Sequence, residues 1–184
     1  MSKIESPPDY QARHAAFIDS LRTILRDRGH LAELRRYWSP RTRHYAYPIL
    51  GRIGAISDPE RPDPRTLVAA LYAVHSREET SPDQKDGPSV GTAFLRLGGG
   101  STQSEGFEST ERHFRRLLAC QTLEELGRQL HRLVKRLERE RITLDYTRLL
   151  EDLSLFRSGY SESVKTRWSR HFWQAPDEPQ PEEA

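Results

Sequence analysis

The sequence predicts an all-α protein of two small helical lobes, and two observations carry that expectation. Apolar residues recur at three- and four-residue steps in segment after segment, which places them on one side of a helix. No stretch shows sustained two-residue alternation, and proline, glycine and capping residues punctuate the segments where helices start and stop. About eight to nine helices are expected, divided into a lobe over 9–97, a Gly-rich linker over 98–108 (which begins GGGSTQSEG), a lobe over 109–173 and a disordered acidic tail over 174–184.

In the first lobe, a helix over Asp9–Arg28 sets Tyr10, His14, Phe17, Leu21 and Ile24 on one seam, with Gly29 as its stop. His14 on that apolar face reads as a packed histidine. A short helix over His30–Trp38 turns Leu31, Leu34 and Tyr37 or Trp38 inward and Arg35 and Arg36 outward. Pro48 opens a helix with Ile49, Leu50, Ile53 and Ile56 inward, where Gly51 and Gly54 are expected to allow close helix approach. Asp63 caps a helix begun by Pro64, and its apolar residues Leu67, Val68, Leu71, Tyr72 and Val74 run to His75. A polar loop follows, then a short apolar helix over Val90–Leu97.

The second lobe starts at Ser109, with Phe114, Leu117 and Leu118 inward and Arg112, Arg115 and Arg116 on the other side. Thr122 and Glu125 form a capping-box pattern, after which Leu123, Leu126, Leu130, Leu133, Val134 and Leu137 share a stripe. Arg128, Arg132, Lys135 and Arg139 keep the same rhythm displaced by two residues, roughly 200° around the helix. Like-charge neighbours in that row each destabilise an isolated helix by about 0.2–0.5 kcal/mol. Glu124 offsets one of them, and burial of the leucines at about 1.5–3 kcal/mol per side chain outweighs them all. Two further amphipathic helices follow. One carries Tyr146, Leu149, Leu150, Leu153 and Phe156 inward, is capped by Asp145 or Thr143 and ends at Gly159; the other carries Val164, Trp168, Phe172 and Trp173.

The chain has 184 residues with a formal net charge of +2, and that small total hides strong segregation. Residues 22–52 hold eight arginines against Asp27 and Glu33, and residues 111–141 hold nine basic residues against five acidic ones. The stretch between them and the tail over 177–184 are acidic. All basic residues but Lys3, Lys85, Lys135 and Lys165 are arginine, a side chain suited to phosphate recognition. Between the blocks, PRTRHYAYP interleaves Arg41 and Arg43 with Tyr45 and Tyr47, which suits a nucleic-acid strand and equally suits tyrosines bridging helices. Each basic face, read alone, is either solvated or an anion contact.

No catalytic site emerges. The seven histidines form no HExxH pair, and His75 reads as a loop histidine beside solvated acids. LGGGS lacks the Lys-Ser/Thr of a phosphate loop, and no GxSxG elbow is present. Glu78-Glu79 and Glu151-Asp152 are expected on solvent faces, and the single Cys120 as a small buried thiol. Neither a cofactor nor a metal site is expected. The lack of a long apolar run or a signal-peptide core points to a cytoplasmic protein with no membrane partner.

The order of the segments resembles one family. LAELRRYWSP, YPILGRIG, a helix ending at His75, RLGGGSTQSEGFESTERHFRRLLA, LGRQLHRLVKRL, ITLDYTRLLEDL and VKTRWSRHFW follow one another as in the CasB family, the small subunit of the type I-E CRISPR surveillance complex Cascade. The resemblance covers roughly residues 12–173. It implies a non-catalytic all-α subunit of two lobes, present as two copies beside the guide RNA. Its implied partners are the backbone and large subunits, the guide RNA and the target DNA strands. The family's basic surface residues correspond to Arg35, Arg36, Arg132 and Lys135. Helical geometry adds Arg112, Arg115, Arg116, Arg128, Arg136 and Arg139, and His131 stands where a relative can carry arginine, so its contribution depends on pH. The alternative is a helical adaptor whose basic face docks an acidic protein.

Overall fold

The computed structural model describes residues 7–77 and 81–173. Within them the α-helices are α1 (Pro7–Ile24), α2 (Arg28–Arg35), α3 (Tyr47–Arg52), α4 (Pro64–His75), α5 (Val90–Leu97), α6 (Phe107–Leu118), α7 (Leu123–Glu140), α8 (Tyr146–Leu155) and α9 (Ser161–Trp173). Two 3₁₀ turns, Arg36–Trp38 and Arg43–Ala46, join α2 to α3. No named strand occurs among the described residues; the single β-bridge pairs Asp83 with Leu144. No described helix is long and apolar enough to cross a membrane. The tail over 177–184 and the pair Glu78-Glu79 lie outside the described residues.

Helix α4 sits at the centre. Its residues from Thr66 to Ala73 are all buried, as expected of a helix apolar around its whole circumference. Asp63 caps it by accepting the Arg65 N–H at 2.9 Å. Helix α7 lies along one flank. A Cβ at Gly127 would stand 2.8 Å from Leu67 Cδ2, so any larger residue would require the Leu67 side chain to shift. Helices α1 and α8 cover another flank: Arg65 rests over the Phe17 ring at 5.5 Å, and His75 Nδ1 meets the Tyr146 hydroxyl at 3.0 Å. Helices α5 and α9 pack together at Gly91, where a Cβ would fall 2.1 Å from the Trp168 carbonyl oxygen.

The segment expected as an interlobe linker is a run of tight turns among the described residues. Gly98 and Gly100 donate to Leu95 O at 3.0 and 2.9 Å, and Phe107 N–H donates to Ser104 O at 3.0 Å. Helices before and after it contribute to the same hydrophobic cluster.

Several local expectations are corrected. Helix α1 stops at Ile24 because Asp27 caps α2, accepting Gly29 N–H at 2.7 Å and His30 N–H at 3.1 Å. Gly29 is therefore inside a helix and stops none. Tyr10 and Ile56, expected inward, are exposed. A Cβ at Gly54 would meet nothing within 4 Å, so this glycine serves a left-handed turn at φ 63° and no close approach. His75 is no loop residue: it ends α4, is buried, and its Nε2 meets Ile142 O at 2.8 Å. Asp152 is also buried, accepting Trp168 Nε1–H at 2.6 Å and an ion pair from Arg167.

Candidate nucleic-acid interface

Helix α7 supplies the principal cationic row. The Thr122–Glu125 capping box fixes its start: Glu125 N–H donates to Thr122 Oγ1 at 3.2 Å, and the Glu125 carboxylate accepts Thr122 N–H at 3.4 Å. Seven residues of α7, from Leu123 to Leu137, are buried, which turns the opposite side to solvent. Arg128 is paired there with Glu124 at 2.9 Å across one turn. Arg132, Lys135, Arg136 and Arg139 have no hydrogen-bond or ion-pair partner among the described residues. Glu138, on the same helix, is ion-paired with Arg77 at 2.5 Å.

Helix α6 adds to the same surface. Its Arg112 and Arg116 are exposed, and Arg115 pairs with Glu111 at 2.8 Å beneath the Trp173 ring, 5.3 Å from its centroid. His113 marks where the two helices meet. Partial burial, then Arg136, Arg116, Arg112 and Arg132, hold its pKa below the usual histidine range. A hollow of about 80 Å³ between α5, α6 and α7 is floored by Phe94 and Leu133 and rimmed by His113, Arg132 and Arg136. His113 escaped the sequence reading, although its place between Arg112 and Arg116 was a usable signal.

The first arginine block reaches this surface through one aromatic contact. Trp38 stacks on His131 of α7 with ring centroids 4.4 Å apart and planes 8° from parallel. Its indole N–H donates to Ala70 O of α4 at 3.1 Å. The turn after α2 is thereby fixed beside the middle of α7. Arg36 and Arg41 are exposed there, and the Arg36 guanidinium lies 4.5 Å from the centroid of the exposed Tyr45 ring.

Two residues of the block have structural work as well. Arg35 Nε and Nη2 donate to Ala73 O and Ser76 O at 2.8 and 2.6 Å, closing the C-terminal end of α4. Arg43 is half-buried, donates to Tyr37 O at 2.9 Å and lies over the Tyr37 ring. Burial first, then Lys135 and Arg132, lower the His131 pKa to about 4. At neutral pH this histidine is uncharged, and what it offers is a flat stacking surface.

The arrangement suits a polyanion. Guanidinium and ammonium groups without a carboxylate partner are chemically suited to phosphates, which they contact without reading bases, and an exposed tyrosine ring such as Tyr45 is suited to sequence-tolerant stacking. No group of three or more His, Cys, Asp or Glu side chains among the described residues could hold a metal ion.

Comparison with known proteins gives a consistent result. The family model for CRISPR-associated protein Cse2 matches residues 30–173. The crystal structure of CasB from Thermobifida fusca is similar with a TM-score of 0.69 and 24% identity, covering 90% of this chain and 98% of that one. A Cse2-family CRISPR-associated protein from Thermus thermophilus superposes with a TM-score of 0.62 and 25% identity, covering 87% of this chain and 97% of the other. No curated protein matches the chain.

Proposed function

The chain belongs to the Cse2 family of CRISPR-associated proteins, and from that premise we propose that it is the non-catalytic, nucleic-acid-binding small subunit of a type I-E Cascade surveillance complex. Its partners in this reading are the backbone and large subunits, a second copy of itself, the guide RNA and the target DNA strands. The observation that supports it most is the Trp38–His131 stack, which joins the turn following α2, with its exposed Arg36, to helix α7, which carries Arg132 and Lys135.

The mechanism follows from charge. Pairing of guide with target replaces DNA pairing in a near-balanced exchange, so modest contacts to the strands tip it. Arg132, Lys135, Arg136 and Arg139 on α7, with Arg112 and Arg116 on α6, hold an exposed strand by its phosphates. Arg36 and Arg41 extend the track. Arg128 and Arg115 are held ready by their i,i+4 carboxylates and exchange them for phosphate. Arg35 and Arg43 chiefly fix the local backbone from which their neighbours project.

Charge reversal at Arg128, Arg132 and Lys135 together tests the assignment in the assembled complex. Target affinity falls, and the slope of log affinity against log salt drops by about 0.7–0.9 for each phosphate that is no longer neutralised, while the thermal midpoint of the subunit is kept. A mutant complex of normal composition with wild-type affinity and salt slope refutes it.

A further inference from the structure

The end of α9 is fastened to helix α6 beside its arginines. Trp173 Nε1–H donates to Glu111 Oε1 at 3.0 Å, and the Trp173 ring packs against Phe114 with centroids 5.2 Å apart. The Arg115 guanidinium lies 5.3 Å from the centroid of the same ring. The chain therefore leaves α9 at the edge of the cationic surface. The residues that follow, 174–184 (QAPDEPQPEEA), carry the carboxylates of Asp177, Glu178, Glu182 and Glu183 and no basic side chain.

The surface at that exit does not neutralise its own cations. Glu111 is taken by Arg115 and by the Trp173 indole. Glu108, one turn before Arg112, forms no ion pair among the described residues, and the exposed Arg112 and Arg116 have no hydrogen-bond or ion-pair partner among them. Across the hollow floored by Phe94 and Leu133, Arg132 and Arg136 of α7 are in the same position. Both pairs lie within reach of the acidic residues. An extended chain spans about 3.3–3.6 Å per residue, so Asp177 can stand up to about 14 Å from Trp173 and Glu183 up to about 36 Å. Arg112 and Arg116 are about 6 Å apart along the axis of α6, and packed helix axes are separated by about 8–10 Å.

We propose that residues 174–184 dock back on their own chain, with Asp177 and Glu178 against Arg112 and Arg116 of α6 and Glu182 and Glu183 against Arg132 and Arg136 of α7. Charge complementarity and the point of exit select this occupant. A single exposed ion pair contributes little, but carboxylates on one short tether act together at an effective concentration on the order of 1 mM. Proline at 176, 179 and 181 fixes φ at three positions and so reduces the freedom lost on docking. A docked segment covers the arginines reversibly and acts as a built-in competitor for any external polyanion. That last consequence rests on the function proposed above for the α6–α7 surface; the docking itself does not.

The test compares the full chain with one carrying Asp177→Asn, Glu178→Gln, Glu182→Gln and Glu183→Gln, by nuclear magnetic resonance of isotopically labelled protein without nucleic acid. At low salt the amide signals of Arg112, Arg115, Arg116, Arg132 and Arg136 and the Trp173 indole signal are expected to differ between the two. The difference should vanish near 1 M salt, where charges are screened within about 3 Å. Arg112→Gln with Arg116→Gln, at exposed positions without partners, keeps the fold and returns the signals of Asp177 and Glu178 to their high-salt positions. Identical spectra of the full chain and the neutralised one at low salt overturn the proposal. So do differences that grow with protein concentration, which place the segment on a second copy, or differences confined to the cleft of Tyr10, Arg65 and Arg157. Titration with oligothymidylate separates the docking from its consequence. A segment that docks with a dissociation constant near its effective concentration lowers affinity about twofold, so the neutralised chain binds about twice as tightly. Salt-sensitive spectral differences in a chain that binds no strand support the docking and refute only the reading of the surface as a strand site.

Discussion

Acidification is expected to destabilise this protein through His131 in particular. The ring is half-buried against Trp38, and burial with the nearby Lys135 and Arg132 lowers its pKa from 6.5 to about 4. The unfolded chain therefore takes up a proton first. The stabilisation associated with the neutral ring is complete above about pH 6.5 and is lost progressively as the pH falls toward about 4. A displacement of this size corresponds to about 2 kcal/mol at pH 5, and the partial exposure of the ring reduces that to about 1–2 kcal/mol. His14, His75, His113 and His171 are also lowered, chiefly by burial, and give a background of the same sign. Comparison with His131→Phe isolates the one contribution, because phenylalanine keeps a ring on Trp38 and takes no proton. Urea unfolding at about pH 7 and about pH 5 should show the wild-type chain losing about 1–2 kcal/mol more than the variant. Equal losses in the two proteins refute the assignment.

Two packing predictions follow from single positions. Gly91→Ala would set a methyl 2.1 Å from the Trp168 carbonyl oxygen. Backbone cannot yield as a side chain does, so α5 and α9 must separate, at a cost of about 1–3 kcal/mol or more; calorimetry should show the midpoint falling by roughly 2–4 °C per kcal/mol, and an unchanged midpoint rules out this close packing. Asp152→Ala removes the acceptor of the buried Trp168 N–H and the partner of Arg167. It should cost about 3–5 kcal/mol with a changed near-ultraviolet dichroism of Trp168, whereas a loss below about 1 kcal/mol means the buried pair is dispensable.

What could be read from the sequence was set by how far apart the interacting residues lie. Helix α7 was legible almost residue by residue, because its stripe, its capping box and the Glu124–Arg128 pair are all relations within one or two turns. The division of labour among the arginines was not. Arg35 and Arg43 look as available in sequence as Arg36 and Arg41, and only the carbonyl groups of Ala73, Ser76 and Tyr37 distinguish them. Asp152 resembled a solvated acid because Glu151 stands beside it, yet its spacing of three from Leu149 and four from Phe156 puts it on the apolar face. That periodicity outweighed its residue type once Trp168 supplied a donor.

The central position of α4 has a kinetic consequence. A helix with no exposed face gains little until its neighbours arrive, and those neighbours lie far away along the chain. Its contact with Tyr146 spans 71 residues, and Leu67 meets Gly127 across a comparable distance. Large loops must close before α4 is covered, and closure of distant segments slows folding even when every element is helical. Until that docking is complete, the leucine stripe of α7 and the apolar surface of α4 remain in water together. The nascent chain is then most prone to associate with other copies of itself.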